Sequence, residues 1–136
     1  MAMTEILLDT NAYVAFKRGN PDAVAIFQQA TAINLPTVVL GELLGGFLLG
    51  NQRERNQREL NRFLASPRVT IIAVTAETAA YYATIYQQLR QMGNPIPTND
   101  MWIAALALQN RLPIFTYDQH FLRILHLKII STPDDV

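Results

Sequence analysis

The chain has 136 residues, of which 50% are hydrophobic and 16% are charged, and its formal net charge at pH 7 is zero. These values predict one folded domain, residues 1–136, and exclude binding of nucleic acid through total charge alone. The absence of cysteine excludes disulfides, thiolate metal sites and a cysteine nucleophile. No basic segment precedes the apolar run at 6–8, and the longest apolar stretch, 35–49, is too short for a membrane span. We therefore expect a cytoplasmic protein with no membrane partner.

Apolar runs and helical spacing alternate in the first half of the chain. Asn20-Pro21-Asp22 indicates a helix start, because Asn can cap a helix and Pro fits its first turn. The predicted elements are a strand at 5–8, a polar turn at 9–11, a helix from 20, an extended piece at 33–36, a buried helix at 37–49 and a surface helix at 51–65.

The second half continues this alternation. Residues 101–108 are apolar on all sides, which predicts a helix buried in the centre of the fold. The predicted elements are a strand at 69–74, a helix at 75–92, a loop from 93, the buried helix after Thr98, a strand at 114–116 and a strand at 127–130. Short strands separated by longer helices predict an α/β layer fold around a mainly parallel sheet.

Four acids stand among apolar residues, where a carboxylate is costly to bury without compensation: Asp9, Glu42, Asp100 and Asp118. Asp9 and Asp118 follow strands, and the carboxyl ends of parallel strands share one edge of the sheet. The helices that carry Glu42 and Asp100 begin at the same edge. We therefore expect all four carboxylates to converge in one pocket.

A convergent set of carboxylates predicts a divalent metal site, because a cation offsets their mutual repulsion. Oxygen ligands without His or Cys suit Mg²⁺ or Mn²⁺ rather than Zn²⁺. Three of the acids also have ordinary structural explanations. Asp9 and Asp118 can serve as turn residues after strands, and Asp100 suits the first turn of a helix. Glu42 is the hardest of the four to explain in this way, because aliphatic residues flank it on both sides.

The same residues resemble a known family. Strand-Asp9-Thr10-Asn11, helical Glu42 and the stretches 95–105 and 115–121 are similar, in order, to the successive motifs of PIN-domain nucleases, most closely the VapC-type toxins. The resemblance implies a three-layer α/β/α sandwich with a five-stranded parallel sheet. It also implies a metal-dependent endoribonuclease that is controlled by a cognate antitoxin.

The resemblance assigns roles to individual positions. The acidic cluster is Asp9, Glu42, Asp100 and Asp118, with Asp9, Asp100 and Asp118 as the expected metal ligands and Asn11 and Thr116 as accessory polar residues. His120 stands where some members carry a further acid. The expected reaction is hydrolysis of an RNA phosphodiester by a metal-activated water.

The basic residues show one local excess. Arg55, Arg58 and Arg62 are spaced i, i+3 and i+7 and share a helical face, which predicts a ridge that binds RNA phosphates. The alternative is a solvated helix in which Glu54 pairs with Arg58. The two histidines, His120 and His126, are six residues apart and do not indicate a paired acid and base for metal-free cleavage.

Other classes of protein fit the sequence less well. A haloacid-dehalogenase-like phosphotransferase needs a second Asp where this chain has Asn11, and a response-regulator receiver needs adjacent acids after the first strand. A non-catalytic module whose acidic pocket grips a partner's arginines remains an alternative. The resemblance implies an antitoxin that presents an Arg to the pocket. Apolar side chains left over by the core among Leu43, Leu44, Phe47 and Leu48 would give it a groove, and would give the toxin a homodimer surface.

Overall fold

The computed structural model describes residues 4–136. In chain order the elements are β1 (Glu5–Leu8), α1 (Thr10–Lys17), α2 (Pro21–Gln29), β2 (Ala32–Pro36), α3 (Thr37–Leu49), α4 (Arg53–Leu64), β3 (Val69–Ile72), α5 (Ala76–Met92), α6 (Thr98–Gln109), β4 (Ile114–Phe115) and β5 (Ile129–Ile130). Two short 3-10 helices follow β4 and β5, at Gln119–Arg123 and Pro133–Asp135.

The five strands form one parallel sheet in the order β3-β2-β1-β4-β5. Ile6, Leu7 and Leu8 of the central strand β1 are each 0% exposed. Successive residues of a strand point to opposite faces, so helices must cover both faces of the sheet. The architecture is the expected three-layer α/β/α sandwich.

The strand order places a crevice at one edge of the sheet. From β1 the chain moves outward through β2 to β3, then crosses over to β4 on the other side of β1. The carboxyl ends of β1 and β4 therefore flank the point where the winding direction reverses, which is where ligands bind in open α/β sheets. Leu8 pairs with Phe115 at this edge, so the residues that follow each of them become neighbours.

The segment after β1 differs from the prediction. Residues 9–11 were expected to form a turn, but a helix begins at Thr10, and Asp9 is its N-cap. The Thr10 backbone N–H donates a hydrogen bond of 2.8 Å to Asp9 Oδ1. Ala12 and Tyr13 of α1 are buried, and Val14, Ala15 and Phe16 pack partly buried against the core. These apolar residues are consecutive in the sequence, so they show no helical spacing.

The apolar helix α3 is also less buried than predicted. Its core residues are Val39 and Leu43, whereas the side chains at its end, Leu48 and Leu49, are 59% and 92% exposed. Helix α6 does match the prediction, because Ile103 to Ala107 are all buried. None of the helices within residues 4–136 has the length and apolarity that crossing a bilayer requires.

Candidate active site

Asp9 lies at the carboxyl end of β1 and is only 4% exposed. Its Oδ1 atom accepts the Thr10 N–H, and its Oδ2 atom accepts a hydrogen bond of 2.7 Å from Thr116 Oγ1. Burial raises the pKa of Asp9 from the usual 3.8 to about 6, although the Thr116 and Thr10 hydrogen bonds oppose this rise. The negative charges of Asp100 and Glu42 raise it further, so these carboxylates interact with Asp9 through space.

Glu42 lies in the second turn of α3, and its carboxylate is held by α1. Thr10 Oγ1 donates a hydrogen bond of 2.9 Å to Glu42 Oε1. The first residue of α1 thus binds two acids at once, because its backbone N–H contacts Asp9 while its side chain contacts Glu42. This arrangement fixes the spacing between the two carboxylates.

Asp100 lies in the first turn of α6 and is 9% exposed. His120 Nδ1 lies 3.1 Å from Asp100 Oδ2 and 3.1 Å from Asp118 Oδ1. Burial raises the pKa of Asp100, while the hydrogen bond to His120 opposes that rise. Asp100, Asp118 and His120 each offer one atom that could bind a metal ion, a carboxylate oxygen or a ring nitrogen, and these three atoms lie within 4.8 Å of one another. The sequence analysis noted that His120 stands where some family members carry a further acid, but it assigned this residue no role.

The accessory positions Asn11 and Thr116 connect β1 to the segment after β4. Thr116 is 1% exposed, and its hydroxyl donates to Asp9 while it accepts the Asp118 N–H at 2.9 Å. Asn11 Oδ1 accepts the Tyr117 N–H at 3.1 Å. Both side chains are thus engaged in orienting the acids and the backbone beside them.

One pocket of about 420 Å³ contains all four predicted acids. It is lined by Asp9, Thr10, Asn11, Val14, Ala15, Arg18, Glu42, Asp100 and Asp118. The structure therefore brings the acids together as the sequence analysis expected, while their catalytic and metal-binding roles remain predictions. The carboxylate oxygens suit Mg²⁺ or Mn²⁺ as ligands. Burial is the main cause of the raised pKa of Asp9, and a cation here would offset the smaller contribution of repulsion from Asp100 and Glu42.

Arg18 is a pocket residue that the sequence analysis missed. One face of α1 lines the pocket, and it consists of residues spaced i, i+3, i+4 and i+7 along the helix and its C-cap: Asn11, Val14, Ala15 and Arg18. This spacing was the available signal, but it has meaning only once residues 10–17 are known to be helical. No carboxylate within residues 4–136 pairs with the Arg18 guanidinium.

The predicted arginine ridge lies on the exposed side of α4. Arg55, Arg58 and Arg62 are all exposed. The alternative to this ridge had paired Glu54 with Arg58, but within residues 4–136 the ion pair along this helix joins Arg55 Nε to Glu59 Oε1 at 3.2 Å. Lys17 Nζ also lies 3.2 Å from Glu59. Glu59 therefore neutralises part of the positive charge at this end of α4.

A second groove, of about 290 Å³, links the ridge to the acidic pocket. Arg18 lines both, and in the second groove it is joined by Lys17 and Arg55. A basic path thus runs from the acids along the end of α1 to α4, although Glu59 lines the same groove and pairs with both Lys17 and Arg55. On a protein of zero net charge, such a local path is where a polyanion can be met.

A third groove, of about 500 Å³, lies between α3 and α4 and has an apolar wall formed by Leu44, Phe47 and Leu48. Arg53, Glu54, Gln57 and Arg58 complete its lining. Leu43, which was considered for this groove, belongs to the core and is 3% exposed. The helical spacing of α3 accounts for this difference, because Leu43 shares the inner face with Val39.

Comparison with known proteins agrees with this fold. The chain matches the family model described as PIN domain over residues 6–126. It is 31% identical to Ribonuclease VapC2 of Rickettsia felis over 126 residues, which cover 89% of this chain and 92% of that protein. It is 26% identical to Ribonuclease VapC4 of Mycobacterium tuberculosis over 133 residues, with coverage of 96% and 99%.

Solved structures give the same result. The crystal structure of VapBC2 from Rickettsia felis, bound to a DNA fragment from their promoter, matches with a TM-score of 0.86 and 28% identity, covering 95% of this chain and 99% of that chain. FitAcB from Neisseria gonorrhoeae matches with a TM-score of 0.79 and 26% identity, covering 96% and 99%. The chain therefore belongs to the PIN-domain family, among its VapC-type members.

Proposed function

We propose that this chain is a metal-dependent endoribonuclease and the toxin of a toxin–antitoxin pair. The observation that carries the proposal is the convergence of four carboxylates, from four separate segments, in one pocket at the crevice of the sheet. The names of two relatives, Ribonuclease VapC2 and Ribonuclease VapC4, support the same activity.

In this proposal Asp9, Asp100 and Asp118 hold Mg²⁺ or Mn²⁺, and Glu42 completes the acidic set. When bound, such an ion would lower the pKa of an attacking water and would offset the negative charge on the phosphoryl oxygens. Thr116 and Thr10 orient the carboxylates through the hydrogen bonds that they donate. No side chain of the protein needs to act as a nucleophile.

The chemistry of the products tests this proposal. Water attack leaves a 5′-phosphate and a 3′-hydroxyl, whereas a histidine mechanism through the RNA 2′-hydroxyl leaves a cyclic phosphate. We expect the purified chain to cut RNA with Mg²⁺ or Mn²⁺, to leave 5′-phosphate ends and to stop in excess EDTA. Cyclic-phosphate ends or full activity in EDTA would refute the metal mechanism.

Asp100→Asn separates an enzyme from a non-catalytic module. Asn keeps the shape of the side chain but loses the charge that binds a cation, so cleavage should fall by more than about 100-fold. Asp134→Asn, at an exposed position near the end of the chain, is the matched control and should cleave normally. Equal cleavage by both variants would favour the module that only grips a partner's arginines.

The RNA backbone is proposed to lie along the basic path from Arg18 to the ridge of Arg55, Arg58 and Arg62. Phosphate contacts position a nucleic acid, while the acids beside them would otherwise repel it. Arg18 is the member of this path that lines the acidic pocket itself. It is therefore the basic residue best placed to hold a phosphate close to the point of cleavage.

The proposed protein partner is a small antitoxin, as the VapBC2 complex from Rickettsia felis suggests. An arginine of the antitoxin would enter the acidic pocket, because a guanidinium offers fixed donors to carboxylates and supplies the charge that a metal otherwise brings. An amphipathic segment would fill the groove walled by Leu44, Phe47 and Leu48. We also expect a homodimer, which light scattering of the purified chain would measure.

A further inference from the structure

His120 is held in a fixed position beside two acids of the pocket. It lies in the short 3-10 helix Gln119–Arg123. Phe121, the residue after His120, is 0% exposed and anchors this helix in the core. The His120 backbone N–H donates a hydrogen bond of 2.9 Å to Asp118 Oδ1. The ring is thereby directed at the acids by both the backbone and the core.

The Nδ1 atom of His120 is 3.1 Å from Asp100 Oδ2 and 3.1 Å from Asp118 Oδ1. A nitrogen lone pair facing two carboxylate oxygens is repelled unless a proton or a cation lies between them. Two ligands at right angles about an ion, each at about 2.1 Å, are about 3 Å apart. The observed spacing fits a hydrogen bond through a proton on Nδ1, and it fits neighbouring ligands of one octahedral ion equally well.

We propose that His120 is a nitrogen ligand of the metal ion held by Asp100 and Asp118, and that it shifts the preference of the site from Mg²⁺ toward first-row transition ions. This inference rests on the proposed metal-dependent function. Mg²⁺ favours oxygen ligands, whereas imidazole binds transition ions well. One nitrogen among the carboxylates thus weakens the site for Mg²⁺ relative to ions such as Mn²⁺.

Pulsed electron paramagnetic resonance of bound Mn²⁺ tests the ligand directly, because a coordinated nitrogen modulates the electron spin echo. We expect a nitrogen coupling in the full-length chain, and we expect ¹⁵N-labelled histidine to change it. The coupling should vanish in His120→Gln. The nitrogen coupling should persist in the control His126→Asn, because His126 is the other histidine of the chain and is exposed. Asn is chosen because His126 has φ 66°, a backbone conformation that Asn tolerates.

Metal titrations give a second readout. His120→Gln should weaken Mn²⁺ binding by at least about tenfold and change Mg²⁺ binding less. The labelling experiment on the unaltered chain requires no substitution at position 120, so a folding defect in His120→Gln cannot obscure the result. Bound Mn²⁺ without a histidine coupling, or equal or tighter Mn²⁺ binding by His120→Gln, would overturn the inference and show that His120 pairs with the acids through a proton.

The inference and the proposed function can fail separately. Metal-dependent RNA cleavage without a histidine coupling would overturn the inference and leave the nuclease proposal standing. A histidine coupling without any metal-dependent cleavage would support the ligand role and contradict the nuclease. A chain that binds no Mn²⁺ at all would overturn both.

Discussion

Thr116 and Asp9 are 107 residues apart in the chain, yet the Thr116 hydroxyl donates a hydrogen bond of 2.7 Å to Asp9 Oδ2. Leu8 and Phe115 are paired in neighbouring strands. Asp9 follows Leu8 and Thr116 follows Phe115, so Asp9 and Thr116 become neighbours. The Asp9 N–H also donates to the Phe115 carbonyl, at 3.1 Å. Strand register thus decides the geometry of the acidic pocket.

Thr116→Val should damage the site without changing its shape. The variant leaves Asp9 Oδ2 and the Asp118 N–H without their shared partner, which should reduce the free energy of unfolding by about 1–3 kcal/mol and lower the cleavage rate at least about tenfold. Thr116→Ser keeps the hydroxyl and should retain most activity. Urea unfolding would measure the change in the free energy of unfolding, and single-turnover cleavage would measure the change in rate. Equal losses in Thr116→Val and Thr116→Ser would contradict the role of the hydrogen bonds.

Asp9→Asn should stabilise the metal-free protein at high pH. Burial raises the pKa of Asp9 to about 6 in the folded chain, above its usual 3.8. The stability that Asp9 contributes is therefore fully present below pH 4 and is lost as the pH rises through 6. At pH 8 in EDTA, the Asn variant should gain up to about 3 kcal/mol in the free energy of unfolding.

The pH dependence of this gain identifies its cause. The gain from Asp9→Asn should be small at pH 4, and excess Mg²⁺ should stabilise the wild-type chain but not the variant. Asp134→Asn, which alters an exposed carboxylate, should show no such dependence on pH. Denaturant titrations across pH 4 to 8 would check this, and an Asn variant less stable than wild type at pH 8 would contradict it.

Arg55, Arg58 and Arg62 are expected to contact RNA phosphates. Replacing all three with Glu should weaken binding and reduce the slope of log affinity against log salt by about 0.7 for each phosphate of single-stranded RNA that is no longer neutralised. Lys128→Glu is a control, because Lys128 directly precedes β5, whereas the ridge lies on α4, which leads into β3 at the other end of the strand order. An unchanged slope in the triple variant would show that this ridge is only a solvated helix face.

Arg18 should matter more for substrate positioning than any residue of the ridge. Arg18→Gln should raise KM for RNA by roughly three- to tenfold, because it removes one charge-assisted phosphate interaction beside the acids. Metal binding, measured by calorimetry, should not weaken, since no carboxylate of the described chain pairs with this guanidinium. An unaltered KM would exclude Arg18 from the path of the substrate.

Leu48 is expected to contact the antitoxin. It is 59% exposed and lines the groove between α3 and α4, so Leu48→Glu should disrupt the complex while the toxin remains folded. Leu125→Glu, at a leucine that is 57% exposed elsewhere, is the matched control. Co-expression with the adjacent small reading frame should relieve growth arrest by the control but not by Leu48→Glu. A folded, metal-binding chain whose expression is harmless would contradict the toxin assignment.

The sequence by itself determined the class of fold and the candidate acids. Strand and helix patterns are local, and burial of α6 is evident from apolar residues on all its sides. Asp9 and Asp118 are recognisable because acids follow apolar runs, and Glu42 because aliphatic residues surround it. Such features depend on a few neighbouring residues and can be read without knowledge of the tertiary structure.

Only the tertiary structure decided which groups meet. The strand order and register place Thr116 on Asp9, and the segment after β4 brings His120 to Asp100 from 20 residues away. Helix α1 was missed because its apolar residues, 12–16, are consecutive and show no helical spacing. The face of α1 that places Arg18 at the pocket was missed for the same reason. Contacts between distant residues depend on how helices pack on both faces of the sheet, and no local pattern encodes that packing.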